Sequence, residues 1–291
     1  MHKLIDRLVS AGTVITDGGL GTQLQARGLP VGACPDEWNL SHPEKVEEVA
    51  RAYVEAGSQI LLTNTFGANR FTLGRHGLAD KVAEINRAAV RLASKAAAGR
   101  AHVFGSIGPS GLMLLMGDVG EEELQAAFAA QAHALAEAGA AGLAVETMSD
   151  LNEARLAVLA ARETGLPVVA SMVFGSGKDH DRTIMGNTPE QCAAELASAG
   201  ADVIGSNCGQ GIDGFIPVCR RLHAATDRPV WIKANAGLPA VVDGKTVYAE
   251  TPEGFAEKIP ALVEAGARFV GGCCGTTPEF IQAVRKQLQC V

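Results

Sequence analysis

Short apolar, β-branched runs recur along the chain, each followed by a longer stretch in which apolar positions return every third or fourth residue. Thr13-Val14-Ile15-Thr16, Ser58 to Thr63, His102 to Ser106, Gly142 to Glu146, Pro167 to Met172, Asp202 to Gly205, Pro229 to Asn235 and Arg268 to Val270 read as strands. Helical periodicity fills the intervals, from the Ser41-His42-Pro43-Glu44 start to Ala56 and then over 78–98, 121–138, 149–163, 189–199, 212–224, 252–265 and 278–287. One device ends four of these helices: Glu55-Ala56-Gly57-Ser58, Glu137-Ala138-Gly139-Ala140, Ser198-Ala199-Gly200-Ala201 and Glu264-Ala265-Gly266-Ala267. Glycine there is the usual left-handed cap.

Strands alternating with helices predict a parallel sheet. Eight such units without a leftover strand predict α/β architecture closed into a single (β/α)8 TIM barrel over 1–291, with its site at the C-terminal ends of the strands. A doubly wound open sheet is the runner-up. It would leave the sixth and eighth strands far apart, whereas closure sets the eighth beside the first and within reach of the sixth. No composition shift or Ser/Pro-rich linker divides the chain.

At 291 residues, 47% of them hydrophobic, the chain can bury a large core. A net charge of −7 excludes nucleic acid and acidic membrane surfaces as natural partners and favours small-molecule chemistry. No apolar leader core follows Met1 to Leu8, and no run approaches the roughly 18 apolar residues of a membrane span, so the expected location is cytoplasmic. In that reducing setting the seven cysteines are read as ligands, catalytic groups or buried small residues rather than bridges.

Two cysteines stand together in Gly271-Gly272-Cys273-Cys274-Gly275-Thr276-Thr277-Pro278, between the last strand and the last helix. Adjacent cysteines are poorly placed to bridge each other and well placed to hold a metal, zinc first, whose catalytic form keeps three protein ligands and one open position. Candidates for the third ligand are Cys34, Cys192, Cys208, Cys219, Cys290 and His180; only Cys208, in Ser206-Asn207-Cys208-Gly209, repeats the setting of apolar strand, small residues, then Cys-Gly. Cys192 and Cys219 fall on helices as packed hydrophobes, Cys34 and Cys290 read as incidental, and His180 reads as a loop residue. The barrel rule collects Asp17, Asn64, Ser106, Glu146, Ser171 or Met172, Cys208, Asn235 and the Cys273-Cys274 pair at one rim. Asp17-Gly18-Gly19-Leu20-Gly21-Thr22 adds a glycine-rich loop able to bring backbone N–H groups near an anion, and the segments 113–120 and 175–186 read as lids.

Asp17-Gly18-Gly19-Leu20-Gly21-Thr22, Thr63-Asn64-Thr65-Phe66, Glu146-Thr147, Ser206-Asn207-Cys208-Gly209 and Gly271-Gly272-Cys273-Cys274-Gly275-Thr276 resemble the motifs of the homocysteine S-methyltransferase family. Lys233-Ala234-Asn235-Ala236-Gly237-Leu238-Pro239 and Tyr248-Ala249-Glu250-Thr251-Pro252-Glu253 are most similar, within it, to the homocysteine-binding module of cobalamin-dependent methionine synthase. The resemblance implies a zinc barrel that methylates the thiol of homocysteine to methionine. It implies Cys208, Cys273 and Cys274 as zinc ligands with the substrate sulfur as the fourth, and Asn235 orienting a ligand or that sulfur. Asp17 and Glu146 would pair with the substrate ammonium, N–H groups of Gly18, Gly19 and Leu20 would take the carboxylate, and Asn64 and Ser106 would line the pocket.

The donor implied is methylcobalamin, supplied by a cobalamin-binding partner protein or module, with S-methylmethionine and S-adenosylmethionine as alternatives. Betaine-using relatives carry a tyrosine where this chain has Thr147. Two different readings stand beside this one: a non-catalytic homocysteine-binding subunit, and a lyase with Lys233 as a Schiff-base lysine.

Overall fold

The computed structural model describes residues 1–242 and 245–289. Eight parallel strands form the barrel: β1 (Val14–Ile15), β2 (Ile60–Leu62), β3 (His102–Ile107), β4 (Gly142–Met148), β5 (Val168–Met172), β6 (Val203–Gly211), β7 (Val230–Asn235) and, after a hairpin, β10 (Ala267–Gly272). The hydrogen-bonded order β1-β10-β7-β6-β5-β4-β3-β2 leaves β1 and β2 at the seam. A Thr16–Ile60 bridge and a Gln59 N–H to Ile15 O bond of 2.7 Å close it, and the Gln59 side chain returns the favour by accepting from Ile15 N–H at 2.8 Å. The open-sheet alternative is therefore excluded.

Strand alternation divides the core in two. Ile15, Leu61, Val103, Val145, Ala170, Ile204, Ile232 and Val270 point outward against the helices, while Val14, Ile60, Phe104, Ala144, Val169, Val203, Trp231 and Phe269 point inward and fill the barrel. The N-terminal helix Lys3–Ser10, which the sequence reading left without a role, plugs the lower end: Ile5 joins the inner cluster, and the His2 N–H bonds Asp202 at 2.8 Å.

Helices form where periodicity predicts, with Pro43–Ala56, Val82–Ala97, Glu121–Glu137, Leu151–Arg162, Pro189–Ser198, Ile212–Ala225 and Pro278–Gln289 outside the strands. The interval 252–265 is two helices, Pro252–Glu257 and Ile259–Glu264, because Pro260 cannot continue a helical hydrogen-bond ladder. The four repeated glycines take left-handed φ values of 112° at Gly57, 97° at Gly139, 102° at Gly200 and 111° at Gly266, a region costly for any residue with a Cβ. An antiparallel hairpin after β7, β8 (Pro239–Val242) with β9 (Lys245–Tyr248), stands above the barrel mouth and was not foreseen. Among the described residues no helix is long and apolar enough to cross a membrane.

Candidate metal centre and substrate pocket

On five of the eight strands a polar side chain points inward two or four residues beyond the apolar layer. Phe104 is followed by Ser106, Ala144 by Glu146, Val169 by Ser171, Val203 by Asn207 four residues on, and Trp231 by Lys233 and Asn235; all six polar groups are buried. Alternation also decides between Ser171 and Met172: Met172 packs outward with the helices, and Ser171 faces the mouth.

Cys208, Cys273 and Cys274 meet there. Their sulfur atoms all lie within 4.8 Å of one another, and Cys208 and Cys274 are 4.0 Å apart. A tetrahedral zinc with Zn–S bonds of about 2.3 Å requires S···S separations of about 3.8 Å. The Cys208–Cys274 pair is about 0.2 Å wider than this and no pair is wider by more than about 1 Å, so the trio closes on such an ion with small side-chain shifts, and no other cluster of metal-binding side chains forms among the described residues. Cys208 reaches in because β6 shifts register between Asn207 and Gly211 and Cys208 itself takes a left-handed φ of 61°. Hydrogen bonding with Cys273 and Cys274 pulls the Cys208 thiol below its ordinary range. The other two, as donors to that sulfur, are pushed up.

The loop carrying the cysteine pair is fixed by backbone contacts. Asn235 Oδ1 accepts from the Cys274 N–H at 3.1 Å, and Ala234 O accepts from the Cys273 N–H at 2.7 Å. Gly19 is glycine because a Cβ would stand 2.5 Å from the Cys273 carbonyl oxygen, and its N–H is taken by Thr276 Oγ1 at 3.0 Å. A Cβ on Gly18 would likewise meet the Tyr53 hydroxyl at 2.7 Å. The glycines of this loop thus serve close packing against the cysteine loop; of the three N–H groups expected to bind an anion, that of Gly19 is already engaged.

Glu146 is the open carboxylate. Its Oε1 accepts from Ser106 Oγ at 2.5 Å and its Oε2 from Asn207 Nδ2 at 3.4 Å. Burial raises its pKa, against the opposing pull of Lys233 and Ser106. Asp17 differs from the expectation of a second open anion: Oδ2 accepts the Leu62 N–H at 2.7 Å, replacing a ladder bond that two-residue β1 cannot make, and Oδ1 pairs with the ammonium of Lys233. That pairing also speaks against a Schiff-base lysine. Burial works to lower the Lys233 pKa, but Asp17 and Glu146 outweigh it and keep the amine protonated.

Asn64 belongs elsewhere. Its amide donates to Pro35 O at 2.7 Å and Asn39 Oδ1 at 3.2 Å, tying the loop after β1 to the loop after β2. Cys34 is buried beside Asp36, Cys192 and Cys219 are buried in helices, His180 lies in its loop with Nδ1 against Gly175 O, and Cys290 lies outside the described residues. The two loops read as lids share a cavity of about 390 Å³ whose walls include Leu114, Leu115 and Met185.

Sequence reasoning missed two members of the site. Asn207 spans it: Oδ1 accepts from Thr147 N–H at 2.9 Å and Ser171 Oγ at 2.7 Å, while Nδ2 donates to Thr147 Oγ1 at 2.6 Å and lies 3.8 Å from Cys273 Sγ. Inward alternation along β6 was the available signal. Tyr248, on the hairpin, packs so closely on Gly275 that a Cβ there would lie 2.3 Å from its ring, and burial together with the nearby Cys274 pushes its hydroxyl pKa up to about 12. Nothing in the local sequence places a residue of an antiparallel hairpin over a metal.

Comparison with known proteins agrees with this geometry. Residues 14–288 match the family described as homocysteine S-methyltransferase. The chain belongs to this family. Curated relatives include the methionine synthases of Mycobacterium tuberculosis, 29% identical over 95% of this chain and 25% of that protein, and of Mycobacterium leprae, 30% identical over 93% and 24%. The chain thus spans about a quarter of the length of these two. Betaine–homocysteine S-methyltransferase 1 of Danio rerio is 30% identical over 98% of this chain and 75% of that protein. Among solved structures, the metallated form of the homocysteine methyltransferase MmuM from Escherichia coli superposes with a TM-score of 0.82 at 24% identity, covering 98% of this chain and all of that one, a likeness of fold.

Proposed function

We propose that this family member is a zinc-dependent S-methyltransferase that activates the thiol of homocysteine and converts it to methionine, with the methyl group coming from methylcobalamin or a partner protein that carries it. The observation that carries the reading is the cluster of three sulfurs within 4.8 Å of one another, beside one buried carboxylate at the mouth of the barrel. Cys208, Cys273 and Cys274 are the residues that would hold zinc. Zinc held there would act as a Lewis acid that lowers the pKa of an incoming thiol, ordinarily about 8.5, so that its proton passes to solvent at neutral pH, and three thiolate ligands would keep that sulfur electron-rich.

The chain's own groups then align the substrate. Glu146 takes the ammonium through a charge-assisted hydrogen bond, with Ser106 and Asn207 fixing the carboxylate's direction. The unengaged N–H groups of Gly18 and Leu20 are assigned to the substrate carboxylate. Asn235 holds the Cys274 backbone so that both cysteines of the pair converge. Alignment of sulfur and methyl is the main source of rate in such a displacement.

Similarity to methionine synthases across nearly the whole chain supports the cobalamin donor. A stand-alone enzyme using S-methylmethionine or S-adenosylmethionine is the second reading; the zebrafish relative, of which this barrel covers three quarters, supports its stand-alone arrangement and not its donor, which in that protein's name is betaine. The deciding experiment is zinc analysis of the reduced protein together with anaerobic methionine formation from homocysteine and each donor in turn, alone and with a cobalamin-binding protein. Zinc without methionine formation from any donor would leave a homocysteine-binding subunit instead.

A further inference from the structure

Tyr53 is buried on the helix Pro43–Ala56, 1% exposed, yet its hydroxyl does not serve that helix. It bridges two carbonyls from other segments, Thr276 O at 3.0 Å in the cysteine loop and Gly19 O at 3.3 Å in the glycine loop. Thr276, also buried, joins the same segments a second time: its Oγ1 accepts from the Gly19 N–H at 3.0 Å and donates to Cys273 O at 2.7 Å. Three glycines make room for this clasp. A Cβ would lie 2.7 Å from the Tyr53 hydroxyl at Gly18, 2.5 Å from Cys273 O at Gly19 and 2.2 Å from Thr276 Oγ1 at Gly272.

The clasp decides where the open N–H groups of the glycine loop point. In a planar trans peptide the carbonyl and the N–H that follows it face opposite ways. Gly19 O accepts from Tyr53, from Thr22 Oγ1 and from the Gln23 N–H, each at 3.3 Å, so the Leu20 N–H is turned away from all three. Asp17 O likewise accepts from the Gly272 N–H at 3.0 Å, which turns the Gly18 N–H away from β10. The two N–H groups assigned to the substrate carboxylate thus take their direction from contacts made on the far side of their own peptides.

We propose that Tyr53 is a positioning residue: by fastening the glycine loop to the cysteine loop, it fixes the distance between the N–H groups that take the substrate carboxylate and the sulfur cluster that takes its thiol. The proposal rests on the methyltransferase reading. Tyr53 acts through Gly19 and Thr276, and its hydroxyl has no step in the reaction.

The test is calorimetric titration of zinc-loaded wild type, Tyr53→Phe, Thr276→Val, Thr276→Ser and Asp202→Asn with two ligands, homocysteine and 3-aminopropane-1-thiol, which is homocysteine without its carboxylate. Tyr53→Phe and Thr276→Val are each expected to weaken homocysteine by about threefold or more, while 3-aminopropane-1-thiol stays within about twofold of wild type. Thr276→Ser keeps the hydroxyl and should bind both ligands as wild type does. Asp202→Asn disturbs a buried anchor at the floor of the barrel, where the carboxylate holds the His2 and Val168 N–H groups; it is expected to lower Tm and leave the ratio of the two affinities unchanged. Unchanged homocysteine affinity in Tyr53→Phe and Thr276→Val, or equal loss of both ligands, overturns the proposal, because the two hydroxyls then support only the fold. The same change of ratio in Asp202→Asn, or a wild type that binds both ligands equally, overturns it too. Should one of the two clasp variants fail to fold, the other decides. Zinc-loaded wild type that binds neither ligand would instead count against the methyltransferase reading.

Discussion

Replacing Asn207 by alanine tests how the barrel mouth is held together. Its carboxamide accepts from the Thr147 N–H at 2.9 Å and Ser171 Oγ at 2.7 Å and donates to Thr147 Oγ1 at 2.6 Å and Glu146 Oε2 at 3.4 Å, with the residue fully buried. Truncation strands two buried donors, at about 1–3 kcal/mol each. Thr147, a β-branched residue at φ +59°, also loses the clamp that keeps it in a conformation costing about 1–3 kcal/mol. Relaxation of Thr147 returns part of that strain, and water entering the space left by the carboxamide satisfies part of the lost bonding, so the net loss of stability is set at the low end for two donors, about 2 kcal/mol. For a domain of this size that lowers Tm by about 4–8 °C. The assay is thermal unfolding by circular dichroism of reduced protein, with zinc and with chelator, because a fault in the scaffold must appear in both. A variant melting within about 2 °C of wild type in both conditions would refute the clamp, since none of these bonds would then carry weight.

The other predictions are narrower. Cys208→Ser, Cys273→Ser and Cys274→Ser should each lose most bound zinc on dialysis while retaining a cooperative melt; full occupancy in all three would remove the basis of the metal centre. Glu146→Gln should keep zinc and weaken homocysteine by about 10- to 100-fold, the worth of one charge-assisted hydrogen bond, and unchanged affinity would contradict its role. Asp36→Asn probes pH dependence: burial raises the Asp36 pKa to about 6, so the folded state holds this proton more tightly than the unfolded state does, and the site gains stability as pH falls from about 6 toward 4. The variant should therefore be more stable than wild type at pH 8, by up to about 3 kcal/mol, and similar to it near pH 4; equal effects at both pH values would show that the carboxylate is not the cause.

The clustering of the three thiols was legible because each cysteine follows its strand in a stereotyped local setting, and the barrel rule turns strand number into spatial neighbourhood. Glu146 and Ser106 were legible for the same reason: inward alternation is a property of the strand itself. The partners of Asn64 were not legible. The loop after β2 turns its amide toward Pro35 and Asn39, and loop direction is set by packing with another loop that no periodicity encodes. Asp17 was placed at the rim, but the sequence did not show the lysine 216 positions away that pairs with it.

Periodicity, the repeated glycine caps and the cysteine motifs determine by themselves that this chain closes into a barrel with three thiols at its mouth, because each of those features acts over a few residues and the strand-then-helix unit repeats eight times. Only the tertiary structure decides which of the polar groups at that mouth remain open to a ligand. A buried charge takes whatever opposite charge the fold brings to it, and that choice depends on distances across the barrel that no stretch of sequence contains.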